Sequence, residues 1–183
     1  MQEYVVLVNE ANEPIGTALK SEVHTGDTPL HRAFSTFLFN SKGELLLQQR
    51  SGTKKTWPLV WSNSCCGHPM PEEDTKDAAI RRIGQELGLS VSELWNVLPD
   101  FRYRAEMLGV VENEICPVFV GFTDNEPEIN MEEVEATRWI SWQDFVKETA
   151  ASDAPYSPWC IEETHLLSKN EQFNRLFAEH TQQ

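Results

Sequence analysis

The 183-residue chain is short of positive charge: 15 Lys and Arg stand against 29 Asp and Glu, a net charge of -14. So acidic a surface repels phosphate backbones and anionic lipid headgroups, which argues against nucleic acid or membrane as a partner. Cysteine is sparse as well. The four, Cys65, Cys66, Cys116 and Cys160, form no CxxC pair and no evenly spaced framework, so reduced thiols in a cytoplasm are expected rather than a disulfide scaffold. Long apolar runs are missing: Ile115 to Phe122 falls well below the ~20 residues that cross a bilayer. The start, Met1-Gln2-Glu3 followed by the short run Tyr4 to Val8, lacks the basic leader and long apolar core of an export signal. With no repeat, low-complexity tract or Gly/Ser linker, residues 1–183 are expected to form one domain.

Hydrophobic residues make up 40% of the chain and charged residues 24%, enough to bury a core. The patterning predicts a mixed α+β architecture. Tyr4 to Val8 reads as a buried strand, and Ala33 to Phe39 and Leu45 to Gln49 flank Asn40-Ser41-Lys42-Gly43, a hairpin turn in which Gly supplies positive φ. The polar loop Lys20 to Leu30 carries His24, with His31 at its end; loops this long in compact domains are often functional. The clearest helix spans about Thr75 to Leu87, capped by Asp74 and stopped by Gly88, with Ile80, Ile83 and Leu87 as its apolar stripe and Arg82 and Glu86 one turn apart beside it. Val110 to Phe122 predicts one strand with Glu112 and Glu114 on the same face and Pro117 at an edge or bulge. Ser141 with Asp144 begins a short helix, and Ser157-Pro158 begins a C-terminal helical region.

The segment Ser62-Asn63-Ser64-Cys65-Cys66-Gly67-His68-Pro69 combines thiols, a glycine and an imidazole in a short polar stretch, as a site loop would. A free cysteine is most often a small buried hydrophobe, and a lone histidine most often a hydrogen-bonded or solvated side chain. The residues C-terminal to the segment change that balance. Five residues separate Gly67 from Glu73, seven more separate Glu73 from Arg81, and Ile83, Glu86, Gly88 and Leu89 come next. This spacing is similar to the Nudix box, the loop and helix that hold a diphosphate through a divalent metal. Arg82 and Gln85 stand where the usual box has glutamates, so a hydrolase that activates water through clustered carboxylates is disabled, although one Mg²⁺ at Glu86 is retained as an expectation.

Taken together, the chain resembles type I isopentenyl diphosphate isomerases, Nudix-fold enzymes without hydrolysis. The resemblance runs through His24, Leu30-His31-Arg32-Ala33-Phe34-Ser35, Trp57-Pro58-Leu59-Val60-Trp61, Cys66-Gly67-His68-Pro69, Asp100-Phe101-Arg102-Tyr103, Glu112-Asn113-Glu114 and Tyr156-Ser157-Pro158-Trp159. It implies a Nudix fold, a mixed β-sheet packed between helices, with an N-terminal extension and C-terminal helices. It also implies Cys66 and Glu114 as the groups that give and take protons, Tyr103 orienting Glu114, and Trp159 facing a carbocation. His24, His31, His68, Glu112 and Glu114 match the family's metal site, which would take Zn²⁺, Mn²⁺ or Mg²⁺. Lys20, Arg50, Lys54 and Arg82 would hold the diphosphate of a small allylic or homoallylic substrate, with Mg²⁺ at Glu86 bridging its oxygens. A monomer or weak homodimer is expected. The competing readings are a Nudix hydrolase of nucleotides, against which Arg82 and Gln85 speak, and a non-catalytic binder of metal or phosphorylated ligand, for which paired proton-handling groups would be superfluous.

Overall fold

A computed structural model describes residues 2–181. Its elements run β1 (Tyr4–Val8), β2 (Pro14–Leu19), α1 (Lys20–Val23), β3 (His31–Arg32), β4 (Phe34–Phe39), β5 (Glu44–Arg50), β6 (Trp61–Ser62), β7 (Cys65–Gly67) and α2 (Thr75–Leu87). They continue with β8 (Trp95–Leu98), β9 (Arg102–Met107), β10 (Val110–Ile115), β11 (Val118–Phe122), β12 (Val134–Ser141), α3 (Trp142–Thr149), α4 (Pro158–Leu167) and α5 (Glu171–His180). The smaller sheet is ordered β2-β1-β3-β10-β9; the larger is ordered β12-β5-β4-β11-β8, with β6 on β5 and β7 on β4.

Alternation along the central strands explains the layers. Phe37, Phe39, Leu45, Leu47, Val118 and Val120 pack on one face of the larger sheet with Trp142, Phe145, Cys160, Leu167 and Phe173 of α3, α4 and α5. Phe34, Leu38, Leu46 and Phe119 face the other way, onto Ala78, Ala79, Ile83 and Leu87 of α2. The larger sheet is therefore sandwiched between helices, and both its faces read as nearly continuous apolar runs.

The expected strand Val110 to Phe122 is two strands in different sheets. Pro117 has no N–H to give to a ladder, and the chain crosses from the smaller sheet to the larger at Cys116-Pro117. Its parallel neighbour crosses at the same level. Glu114 pairs with His31 in the smaller sheet, Val118 with Ser35 in the larger, and Ala33, expected within a strand, is the crossing residue that donates its N–H to the Ile115 carbonyl at 2.9 Å. The polar loop also contains more order than expected, beginning with the single turn of α1.

The β4–β5 hairpin closes as its turn sequence predicts, with Gly43 at φ 74, but the two strands pair directly only at Phe39 and Leu45. Beyond that they part, and residues 61–67 fill the fork: Gln48 pairs with Ser62 and Ser35 with Cys66. Ser64 stitches the fork with its side chain, accepting from Leu38 N at 2.7 Å and donating to the Leu46 carbonyl at 2.6 Å. Asn63 Nδ2 donates to the Thr36 carbonyl at 3.0 Å. The polar residues before Cys65 thus satisfy buried backbone and place Cys66 at the fork's mouth.

Helix α2 has the predicted bounds. The Asp74 carboxylate accepts from Lys76 N at 2.8 Å and Asp77 N at 3.3 Å, and Gly88 ends the helix at φ 64. Its buried face is Ala78, Ala79, Ile83 and Leu87, whereas Ile80 is only half-buried. Arg82 and Glu86 beside that face are buried too. Asp74→Ala is expected to cost about 1 kcal/mol. Gly88→Ala should cost roughly 1–2 kcal/mol from the left-handed backbone alone, and more because its Cβ would lie 2.8 Å from the Glu128 carbonyl oxygen. Denaturant unfolding of both variants checks this, and a Gly88→Ala loss below that of Asp74→Ala would contradict it.

Candidate active site and metal centre

Register across the smaller sheet assembles the acidic centre. Glu114 on β10 lies between His31 on β3 and Tyr103 on β9, its register partners on either side. The Tyr103 hydroxyl donates to Glu114 Oε2 at 2.8 Å, while Glu114 Oε1 lies 3.3 Å from His31 Nε2 and 3.0 Å from His68 Nε2. Glu112, two residues earlier and on the same face, lies 3.5 Å from His24 Nε2. The loop bearing His24 is pinned to β10 by Val111 N donating to the Thr25 carbonyl at 2.8 Å. One ligand atom from each of His24, His31, His68, Glu112 and Glu114 falls within 4.8 Å of all the others.

These residues fit a divalent cation. Nε2 of His24, Nε2 of His31 and Nδ1 of His68 are buried without a hydrogen-bond partner, a costly state unless something accepts their lone pairs. His31 Nδ1 sits 2.9 Å from the Pro29 carbonyl; a carbonyl only accepts, so Nδ1 carries hydrogen and Nε2 faces the cluster, the outer-sphere arrangement typical of a metal-binding imidazole. The electrostatics agree. Burial is the largest influence on His31 and pulls its pKa down, but Glu114, Pro29 and Glu112 outweigh it and leave it raised. Burial and the charge of His31 hold His68 well below its usual value. Glu114 is held down to about 2: burial opposes this most strongly, yet His31, Glu112 and Tyr103 prevail. A surplus of negative charge thus awaits a cation.

A cavity of about 540 Å³ opens beside this cluster, within the size range of small-molecule sites. Of the sequence-derived candidates, Cys66, Glu114, Tyr103, Trp159, Lys20, Arg50, Lys54, Arg82, His24, His68 and Glu112 line it; His31 and Glu86 do not. His31 lies fully buried behind Glu114. Glu86 is also buried, and its Oε1 accepts from Arg82 Nε at 3.0 Å, which sets it apart from the His/Glu cluster. Cys66 faces the cavity because strand alternation sends Cys65 the other way, onto α2. The Cys66 thiol donates to Asn63 Oδ1 at 3.2 Å, and burial, then the charge of Glu163, push its pKa up to about 12. Trp159 packs edge-on against Trp57 at 5.2 Å and leans over Tyr103 at 5.3 Å, walling the cavity with aromatic surface.

The lining is also cationic. Lys20, Arg50, Lys54, Lys55 and Arg82, five of the chain's 15 basic residues, line one cavity. Carboxylates that sequence reasoning missed hold three of them: Glu3 lies 2.6 Å from Lys20 Nζ, and Glu133 contacts Lys54 and, at 3.2 Å, Arg82. Arg50 instead donates to the Thr56 carbonyl at 2.9 Å with its guanidinium 5.8 Å from the Trp159 ring. Glu163, fully buried in α4 and also missed, carried no signal beyond its place in a C-terminal helix. A ligand that combines an apolar part with a strong anion suits this lining.

Known proteins agree. The NUDIX domain family pattern matches residues 29–160. A crystal structure from Deinococcus radiodurans superposes with a TM-score of 0.69 over 89% of this chain and 98% of its own, at 22% identity, and a MutT protein from Methanosarcina mazei superposes with a TM-score of 0.61 over 80% and 94%, at 20% identity. These likenesses define the fold, and the chain is a Nudix protein. The Isopentenyl-diphosphate Delta-isomerase of Saccharopolyspora erythraea is 55% identical over 90% of this chain and 86% of its own length, and that of Kocuria rhizophila is 50% identical over 86% and 88%. Within the Nudix fold, the chain belongs to the isopentenyl-diphosphate Delta-isomerase family.

Calorimetric titration with Zn²⁺ or Mn²⁺ is expected to find a site at the His/Glu cluster that His31→Ala weakens about tenfold or more, with circular dichroism confirming that the variant folds. Unchanged affinity in folded His31→Ala would exclude the cluster as the centre.

Proposed function

We infer that this cavity interconverts isopentenyl and dimethylallyl diphosphates, adding a proton at one carbon of the hydrocarbon tail and removing one two carbons away. The observation that carries the reading is that Cys66, from the larger sheet, and Glu114, from the smaller, line one cavity together with Lys20, Arg50, Lys54 and Arg82. The alkene is not acidic, so protonation to a tertiary carbocation precedes loss of the second proton. Cys66 and Glu114 are the two proton-handling groups, and Tyr103, donating to Glu114 Oε2, orients its carboxylate. Each positioned acid or base of this kind typically contributes ~10² to 10⁴ in rate. Trp159 presents aromatic surface where positive charge develops, an attraction that strengthens once water is excluded.

Lys20, Arg50, Lys54 and Arg82 bind the diphosphate by exchanging their present partners for phosphate oxygens, Arg in forked geometry and Lys as point charges. A divalent ion, Zn²⁺, Mn²⁺ or Mg²⁺, held by His24, His31, His68, Glu112 and Glu114 would supply positive charge beside Glu114. Glu86 would hold Mg²⁺, which would supply further positive charge to the diphosphate. Residues 1–183 as one domain, acting as a monomer or weak homodimer, are part of this proposal. No described helix is long and apolar enough to cross a membrane, and a cytoplasmic location is part of this proposal.

Incubation with isopentenyl diphosphate and Mg²⁺ in D₂O is expected to give deuterated dimethylallyl diphosphate by NMR, because solvent protons pass through both groups. Release of phosphate without isomerisation would instead establish hydrolysis. Cys66→Ala and Glu114→Gln should each lower kcat about a hundredfold or more, while Cys65→Ala, on the opposite face, leaves it near that of the parent. Full activity in Cys66→Ala would overturn the assignment.

A further inference from the structure

Glu133 sits on the cavity wall among the cations, although nothing in the reaction requires a carboxylate there. Its Oε2 contacts Lys54 Nζ, on the loop after β5, and lies 3.2 Å from Arg82 Nη2, on α2. Glu3, by comparison, is close to Lys20 alone, with Arg82 Nη1 3.9 Å away. Backbone hydrogen bonds build Glu133 into its place. Ser51 N, just after β5, donates to the Glu133 carbonyl at 3.1 Å, Lys54 N donates to the Ser51 carbonyl at 3.1 Å, and Asn130 N donates to the Glu86 carbonyl of α2 at 2.9 Å. Glu133 N closes the turn between these anchors by donating to the Asn130 carbonyl at 2.9 Å. The backbone is thus tied to both elements that carry the cations, while the side chain, 25% exposed, has water into which it can turn.

One carboxylate oxygen between an ammonium and a guanidinium stands where a phosphate oxygen would bind. Burial is the largest influence on the Glu133 carboxyl and pushes its pKa up, but Lys54, Arg82 and Lys20 outweigh it and leave it lowered, so the group is an anion at neutral pH. Arg50 and Lys55 differ: they donate to the neutral carbonyls of Thr56 and Ser21 and need displace no charge. Moving a double bond in the tail leaves the diphosphate unchanged, so the grip on that head is the same for substrate, transition state and product. Uniform binding of this kind deepens the ground state without speeding the chemical step, and it must be undone when product leaves.

We propose that Glu133 is a built-in competing anion that limits how tightly the cavity holds a diphosphate: it occupies Lys54 and Arg82 in the empty site, turns outward as ligand oxygens arrive, and returns to those cations as product departs. It weakens the hold on substrate and product alike, and between turnovers it keeps Lys54 and Arg82 at the wall. No bond to Glu133 forms or breaks, and its charge stays constant. This inference rests on the reading of the cavity as a diphosphate site.

Calorimetric titration with inorganic pyrophosphate, at constant salt and Mg²⁺, tests the sign of the effect. Glu133→Gln, close in shape but uncharged, is expected to bind pyrophosphate about tenfold more tightly than the parent, the scale of one hydrogen bond between charged groups. Glu133→Ala, a second charge-free variant, should move in the same direction, and circular dichroism checks that both fold. Glu133→Asp, which keeps the charge, should stay within about threefold of the parent. KM for isopentenyl diphosphate should fall in Glu133→Gln along with the dissociation constant. A carboxylate needed only to aim Lys54 and Arg82 would give the opposite result, weaker binding in both charge-free variants. That weakening, unchanged binding in them, or tightening in Glu133→Asp equal to that in Glu133→Gln would each overturn the proposal. A parent that binds no pyrophosphate would sink the diphosphate reading and this inference together, whereas a parent that binds it and charge-free variants that bind it no better would sink the role of Glu133 alone.

Discussion

Negative charge held in a dry place is the constraint around which the molecule is arranged. Glu114 lies within a cluster that also contains Glu112, and burial alone would drive a carboxyl there toward its neutral form. His31, Glu112 and the Tyr103 phenol reverse that pressure and hold the Glu114 carboxyl down. The register of β3, β10 and β9 makes the arrangement possible, because it sets His31 and Tyr103 directly beside Glu114. Of these, β3 and β10 then continue, past Ala33 and Cys116-Pro117, into the larger sheet, so the acidic centre is anchored to the main core.

The cationic wall works on a different principle. In an acidic protein a group of lysines and arginines at a cavity wall can stay folded inward because carboxylates accompany it: Glu3 with Lys20, Glu133 with Lys54, and Glu86 and Glu133 with Arg82. Several of these partners are partly exposed, and ion pairs of that kind are worth little in water. They are readily surrendered to a ligand bearing several negative oxygens. Catalytic and anchoring groups therefore differ in kind: one set is buried and tightly interlocked, the other open and exchangeable. The splayed β4–β5 hairpin joins them, since Arg50 and Cys66 issue from the fork it creates.

Much of this was legible in local sequence. Asp74 and Gly88 mark the ends of α2 because capping is decided by neighbouring residues and a single backbone angle, and Gly43 marks the hairpin turn for the same reason. The candidate residues His24, His68, Glu112, Glu114, Cys66, Tyr103 and Trp159 do come together on one cavity. Their legibility came from the order of whole segments along the chain and not from any one side chain, since a solitary histidine or cysteine carries almost no functional information.

What the sequence by itself determined, then, was the first strand, the β4–β5 hairpin, helix α2, the starts of the later helices and the chemical inventory of the site, because propensity, capping and motif spacing act over a few residues. Only the tertiary structure decided that Val110 to Phe122 divides between two sheets, that Ile80 yields its place in the core to Ala78 and Ala79, and that Glu86 rests on Arg82. It alone revealed Glu3 and Glu133 as partners of the cationic wall and the burial of Glu163. Those outcomes turn on contacts between residues far apart in the chain, where burial and the charge of neighbours are set by packing and leave no periodic trace in sequence.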